Sequence, residues 1–69
     1  MVVNETRIVR ELVKEHQPVS DIELTFLCVD RGIDPHDAII LQDLLEEQGR
    51  IEYDQNTGAF STTDIVNSV

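Results

Sequence analysis

The sequence predicts one small α+β domain in which three helices precede a two-stranded β-hairpin. Three observations predict it: apolar residues at helical spacing near the start, two sets of helix start and stop signals in the middle, and polar–apolar alternation around a turn near the end. A chain of 69 residues holds one core, and folding removes only about 60% of its surface from water. Residues 1–69 therefore form a single domain, for which a partner subunit is easier to expect than a large enzyme cleft.

The first helix is predicted over residues 4–16. Four apolar residues recur at three-and-four spacing, namely Ile8, Val9, Leu12 and Val13. Asn4 is the predicted N-cap, because its side chain can accept a hydrogen bond from the first turn. Pro18 ends the helix, since it has no amide hydrogen and disfavours helical geometry in the residue before it.

The second helix is predicted over residues 21–31. Ser20 and Glu23 form a capping box, in which the Ser20 hydroxyl accepts from the Glu23 amide and the Glu23 carboxylate reaches back to the Ser20 amide. Gly32 follows the helix and can take the left-handed conformation that ends it. The start and the end of this helix are therefore both marked.

The third helix is predicted over residues 35–48. Asp34 is its predicted N-cap, and Pro35 stands at the first helical position, where a missing amide hydrogen costs nothing. Gly49 ends the helix. Because only residues 32–34 separate the second helix from the third, the pair reads as a helix-turn-helix.

A β-hairpin is predicted over residues 50–63. Residues 50–54 alternate polar and apolar side chains, residues 55–58 have turn chemistry, and residues 59–63 return antiparallel with Phe60 facing inward. Residues 64–69 show no clear period, so they form either a last helical turn or a frayed end.

Composition narrows the class of protein. The chain has 5 basic and 14 acidic residues and a formal charge of -9. No apolar run approaches the about 20 residues that span a bilayer, and no signal peptide is visible, so we expect a cytoplasmic protein without membrane contact. The excess of acids fits either a source rich in salt, where charges are strongly screened, or an ordinary acidic surface.

No catalytic or metal-binding constellation stands out. His16 and His36 fall on different helix ends, and a third metal ligand is offered only by common acids. Cys28 has apolar neighbours and no second cysteine, so it reads as a core residue that forms no internal disulfide. We therefore predict a non-enzymatic protein with no cofactor, no bound metal and no small-molecule substrate.

The order of elements resembles the winged helix-turn-helix superfamily over nearly the whole chain. The resemblance rests on the start of the second helix at residues 20–24, the link at 32–34, the junction at 45–51 and the inward set Ala38, Leu41 and Leu45. Within the superfamily it is most similar to the C-terminal winged-helix domain of archaeal MCM helicases, whose wing resembles residues 50–53 and 61–63. An MCM chain is far longer, so this sequence would be an excised domain or a free-standing relative. The resemblance implies a role in DNA replication or another DNA-handling complex.

The charge of the third helix argues against duplex DNA as its ligand. Residues 34–49 contain five acids and no Lys or Arg, whereas proteins bind DNA largely by neutralising phosphates with those residues. The remaining candidates for nucleic-acid contact are polar or basic residues near the helix start and in the wing: His36, Arg50, Gln55 and Asn56. A single Arg would give a weak, salt-sensitive contact.

Apolar residues on the second and third helices exceed what one inward face requires. The surplus set, our candidate protein interface, is Ile22, Phe26, Val29, Ile39, Ile40 and Leu44. Two interpretations stay open: the first helix and the tail residues Ile65 and Val66 cover this set within the monomer, or a protein partner covers it, most simply in a homodimer.

We therefore predict a non-enzymatic winged-helix module for regulation or assembly in a DNA-handling complex. The alternative is a small transcriptional regulator that binds DNA as a dimer, with basic groups of the two protomers beyond the acidic helices. A third interpretation is an adaptor of viral or plasmid origin that mimics the acidic face of nucleic acid.

Overall fold

The computed structural model describes residues 2–63 of the chain, with side chains from residue 5 onward. It is an α+β domain of three helices and a three-stranded antiparallel sheet. In chain order the elements are α1 (Val2–His16), β1 (Val19–Ser20), α2 (Asp21–Asp30), α3 (Pro35–Glu47), β2 (Ile51–Asp54) and β3 (Ala59–Thr62). The three predicted helices are confirmed, and the predictions for residues 64–69 lie outside the described residues.

The end of α1 agrees with the sequence and its beginning does not. The helix stops at His16, immediately before the cis peptide bond between Gln17 and Pro18. It begins at Val2, so the prediction that Asn4 caps it was wrong: Asn4 lies inside the helical backbone. The Gln17 Oε1 atom accepts from the Thr62 amide at 2.9 Å and thereby ties the end of α1 to β3.

The helix α2 starts and ends as its sequence signals require. The Ser20 Oγ atom accepts from the Glu23 amide at 3.1 Å, whereas the return bond from the Glu23 carboxylate is absent among the described residues. The helix ends at Asp30, and Gly32 follows with φ of 89°, a value that side chains rarely tolerate. The Ile33 amide donates to the Cys28 carbonyl at 2.9 Å, which closes the helix end.

The helix α3 begins at Pro35, as predicted, but its cap differs from the prediction. Asp34 occupies the N-cap position with extended backbone, yet its carboxylate accepts no capping hydrogen bond. The helix ends at Glu47, and Gly49 has φ of 76° in the turn that leads into β2. The link between α2 and α3 is residues 31–34, one residue longer than the predicted link at 32–34.

The sheet contains one strand more than predicted. The hairpin of β2 and β3 is present, with Ile51 opposite Thr62 and Tyr53 opposite Phe60. The added strand β1 pairs with the other edge of β3, so the strand order is β1-β3-β2. Two residues of strand directly before a helix show no alternation, which is why the sequence did not reveal them.

One hydrophobic core joins all three helices to the sheet. Its buried members are Val9, Leu12, Val13, Val19, Leu24, Cys28, Ile33, Ala38, Leu41, Leu45, Ile51 and Phe60. The predicted inward position of Phe60 is confirmed, and the Tyr53 ring packs on it with centroids 5.1 Å apart. No helix within residues 2–63 has the length and apolar character to cross a bilayer.

Candidate interaction surface

The outer side of α2 and α3 carries large apolar side chains that the core does not use. We call this surface the α2–α3 face and define it by Ile22 and Phe26 of α2 and Ile39 of α3. The Phe26 side chain is 70% exposed, Ile22 is 67% exposed and Ile39 is 59% exposed. In a domain with so small a core, leaving these groups in water forgoes apolar burial that would otherwise stabilise the fold.

A groove of about 320 Å³ runs between the two helices on this face. Ile22 and Phe26 line it from α2, and Ile39 lines it from α3. Thr25 and Gln42 also line it: the Gln42 Nε2 atom donates to the Thr25 Oγ1 atom at 3.1 Å, and that hydroxyl donates to the Asp21 carbonyl at 2.8 Å. Gln42 is only 5% exposed, so this hydrogen-bonded pair holds α2 and α3 together at the groove.

The structure brings together only part of the predicted interface set. Val29 and Ile40 are exposed but do not line the groove, and Leu44 lies elsewhere. Leu44 is two positions after Gln42, which is about 200° around the helix at about 100° per residue. It is half-buried and lines one concavity with residues of α1, whereas the side chains of Ile22, Phe26 and Ile39 are exposed within the described part of the chain. The predicted cover by Ile65 and Val66 lies outside the described residues.

The two helices that form the face carry acidic residues and no Lys or Arg. Together α2 and α3 contain seven acids. All of these acids are exposed, and within residues 5–63 none of them forms an ion pair. Asp21 lines the groove itself, and Asp43, Glu46 and Glu47 form a separate acidic cluster toward the end of α3. We call the seven exposed acids of α2 and α3 the acidic rim. The two helices thus combine exposed apolar side chains with negative charge that is not paired within residues 5–63.

A second concavity, on the other side of α3, has the opposite character. This arginine groove of about 630 Å³ is lined by Thr6, Arg7, Arg10, Glu11, Leu44, Gln48 and Arg50. It therefore contains three of the five basic residues of the chain. Arg7 and Arg10 come from α1, whereas Arg50 precedes β2.

The structure separates the four candidates for nucleic-acid contact. His36 is in the first turn of α3, and Arg50 lies at the far end of that helix in the arginine groove. Gln55 and Asn56 are at the tip of the β2–β3 hairpin, where the Asn56 amide donates to the Asp54 Oδ1 atom at 2.8 Å. All four residues are exposed, but only Arg50 shares a concavity with the arginines of α1, and His36, Gln55 and Asn56 do not line it.

The described part of the chain offers few groups for nucleophilic catalysis or metal binding. Cys28 is fully buried, and burial raises the pKa of its thiol to about 11, which suppresses the nucleophilic thiolate at neutral pH. Among the described residues, no group of three His, Cys, Asp or Glu side chains is placed to hold a metal ion. The prominent features are therefore the apolar face with its acidic rim and the arginine groove.

Sequence reasoning missed some of the residues that line these two concavities. Thr25 and Gln42 give no motif, although Gln42 falls beside the inward positions Leu41 and Leu45 on the helical wheel. Arg7 and Arg50 are far apart in sequence and meet only through the fold.

These features define a small α+β domain with an exposed surface that is acidic and partly apolar. Comparisons with family models, with curated proteins and with solved structures find no match to this chain.

Proposed function

We propose that the chain is a non-enzymatic, cytoplasmic winged-helix module that regulates or assembles a DNA-handling complex, such as one of DNA replication, by binding another protein through the α2–α3 face. The order of three helices and three strands, with β3 between β1 and β2, is compatible with a winged helix. The association with DNA-handling complexes rests on the resemblance of the helix-turn-helix and hairpin sequences to MCM winged-helix domains.

The exposure of Ile22, Phe26 and Ile39 around one groove is the observation that carries this proposal. Burying one such side chain stabilises a complex by about 1.5–3 kcal/mol relative to leaving it in water. Aromatic and branched side chains in a concavity are typical anchors of protein interfaces. Because the core with α1 and the sheet lies on the inner sides of α2 and α3, none of the described elements occupies the groove.

The charge of the same surface favours protein over duplex DNA. Phosphate binding requires Lys or Arg, and α3 has four exposed acids and neither of those residues. Unit charges about 4 Å apart near a protein surface interact by about 4 kcal/mol, and here the sign against phosphate is repulsive.

Site-specific photo-crosslinking in the source cells tests the proposal. A photoreactive residue at position 26 is expected to form adducts with a component of a replication or other DNA-handling complex. The matched control is position 52, an exposed residue of β2 on the hairpin. Equal yields from the two positions, or adducts only with proteins unrelated to DNA, would contradict the proposal.

The arginine groove supports a second candidate, a small regulator that binds DNA as a dimer. Three arginines lie in one concavity away from the acidic rim, so phosphates could be contacted there without crossing the α2–α3 face. A mobility shift with duplex DNA at low salt that is lost in Arg50→Ala would favour this function. The absence of any shift at low salt, where the attraction is strongest, would favour the protein-binding module.

A further inference from the structure

We infer that the occupant of the groove on the α2–α3 face is a basic amphipathic helix of a partner protein, not a second copy of this chain. This inference rests on the proposed protein-binding function and adds the chemistry of the partner. It follows from the charge of the rim, from the backbone chemistry of the groove walls and from the size of the surface.

Charge complementarity selects a cationic occupant. Each helix that borders the groove is free of Lys and Arg, and Asp21 lies within the groove lining. Lysine or arginine side chains that flank the apolar anchors of a partner would meet exposed carboxylates that have no ion-pair partner within residues 5–63. An acidic or neutral occupant would leave those carboxylates uncompensated.

The same charges disfavour a homodimer through this face. A standard interface covers about 800 Å² on each partner. The whole domain exposes 4822 Å², so a patch of that size centred on the groove would extend onto the acidic rim. A two-fold axis places the same patch on both copies, so acids would face acids. Two chains of charge -9 also repel each other at longer range.

The groove walls favour a helix over an extended segment. A strand that joins a surface needs main-chain hydrogen bonds from a free sheet edge, whereas the amides and carbonyls within α2 and α3 are already used by those helices. A helix satisfies its own main chain and presents apolar side chains at three-and-four spacing. Ile22 and Phe26, four residues apart on α2, line one groove with Ile39 of α3, and such a row of side chains can pack along it.

Binding of synthetic peptides to the full chain tests the inference. The probe is a fluorescein-labelled helical peptide of about four turns with Leu at the anchor positions and Lys on its flanks. A second peptide has Glu in place of Lys, and a third keeps Lys but has Ser in place of Leu. Fluorescence anisotropy is expected to show the Leu–Lys peptide binding at least about tenfold more tightly than either control, with affinity falling between about 50 and about 500 mM NaCl.

Matched variants locate the binding site. Ile39→Ala removes an anchor of the groove, whereas Ile40→Ala removes an exposed isoleucine that does not line it. The first is expected to weaken the Leu–Lys peptide about tenfold and the second less than about twofold. Asp21→Asn removes a charge of the groove while keeping the side-chain oxygen that accepts from the Ile22 amide. It is expected to weaken peptide binding about two- to fivefold. Its control is Glu52→Gln on the hairpin. Circular dichroism checks that each variant is folded.

The outcomes separate the inference from the proposed function. Equal affinity for the Lys and Glu peptides would overturn the basic partner and leave the docking face standing. Light scattering that shows a dimer broken by Phe26→Ala, with no peptide bound, would make a second copy the occupant and overturn the inference alone. Equal losses in Ile39→Ala and Ile40→Ala would remove the groove as the site, and the proposed function would lose its surface.

Discussion

The inner and outer sides of α2 and α3 are both apolar but differ in what covers them. On the inner side, Leu24, Cys28 and Leu45 are completely buried by α1 and the sheet. On the outer side, Phe26 and Ile39 are more than half exposed over a groove with an acidic rim. The core of the described domain thus uses only the inner apolar side of these helices. The apolar residues of the outer side do not contribute to that core.

Core truncation gives the largest expected effect, and it tests whether the outer side is truly unnecessary for folding. Leu24→Ala is expected to lower the free energy of unfolding by about 2–5 kcal/mol, because it leaves a cavity in the only core. Phe26→Ala, two positions along the same helix, is expected to change it by less than about 0.5 kcal/mol. Urea denaturation of both variants measures the two free energies of unfolding. Equal losses would show that the outer side of α2 contributes to stability as much as the core side.

The dependence of stability on alkaline pH tests the buried inner side through the Cys28 thiol. Burial raises the pKa of its thiol from 9.0 to about 11, so the folded state holds the proton more tightly than the unfolded state. Stability from this group is therefore fully present below pH 9.0 and is lost as the pH rises toward 11, with a slope of at most about 1.4 kcal/mol per pH unit. The unfolding free energy of Cys28→Ala, measured over the same range, is expected to fall less steeply. Parallel curves for the two chains would show that the thiol does not contribute.

The hydrogen bond between Gln42 of α3 and Thr25 of α2 links the two helices. Its loss is expected to have an intermediate effect on the free energy of unfolding. A double-mutant cycle with Gln42→Leu and Thr25→Val is expected to give a coupling energy of about 0.5–1.5 kcal/mol in chemical denaturation. Thr25 keeps its bond to the Asp21 carbonyl when Gln42 is replaced, so the single substitution leaves no orphaned hydroxyl. A coupling energy near zero would mean that apolar packing alone positions the groove walls.

Charge reversal at the end of α3 gives the smallest expected effect on the free energy of unfolding. It tests whether an acidic residue of α3 contributes to the stability of the fold. Glu47 is in the last turn of α3, where the negative end of the helix dipole favours cations. Glu47→Lys is therefore expected to raise the free energy of unfolding by about 0.3–1 kcal/mol at low salt. The control Glu52→Lys, on a strand, lacks the dipole contribution and is expected to change stability less. A loss of stability in Glu47→Lys would indicate that the acid does contribute to the fold.

Local signals in the sequence were sufficient to predict the helices. Pro18 and Gly32 end helices, and Ser20 and Pro35 begin them, because each acts on the backbone within a few residues. The start of α1 was misplaced because cap chemistry alone does not fix where a helix begins, and the helical backbone already starts at Val2. The winged-helix relationship, the DNA-handling role and the cytoplasmic location stay predictions.

The parts of the candidate site that depend on tertiary packing were harder to predict. A helical wheel shows that α3 has two apolar sides but not which of them α1 covers, so Leu44 was grouped with Ile39 although it lies beside the arginine groove. The convergence of Arg7 and Arg50 likewise requires contact between α1 and the beginning of the hairpin. The exposed members Ile22 and Phe26 were predictable, since their spacing on α2 sets them apart from Leu24 and Cys28.

The position of the arginine groove has a consequence for the kinetics of encounter. Three of the five cations line the arginine groove, whereas Asp21 and the cluster of Asp43, Glu46 and Glu47 lie at other concavities, so positive and negative charge are unevenly distributed over the described surface. A positively charged protein that diffuses toward it experiences a torque that turns the acidic part of that surface forward before any contact is made. Association in dilute buffer is then faster than random collision allows, and added salt slows it.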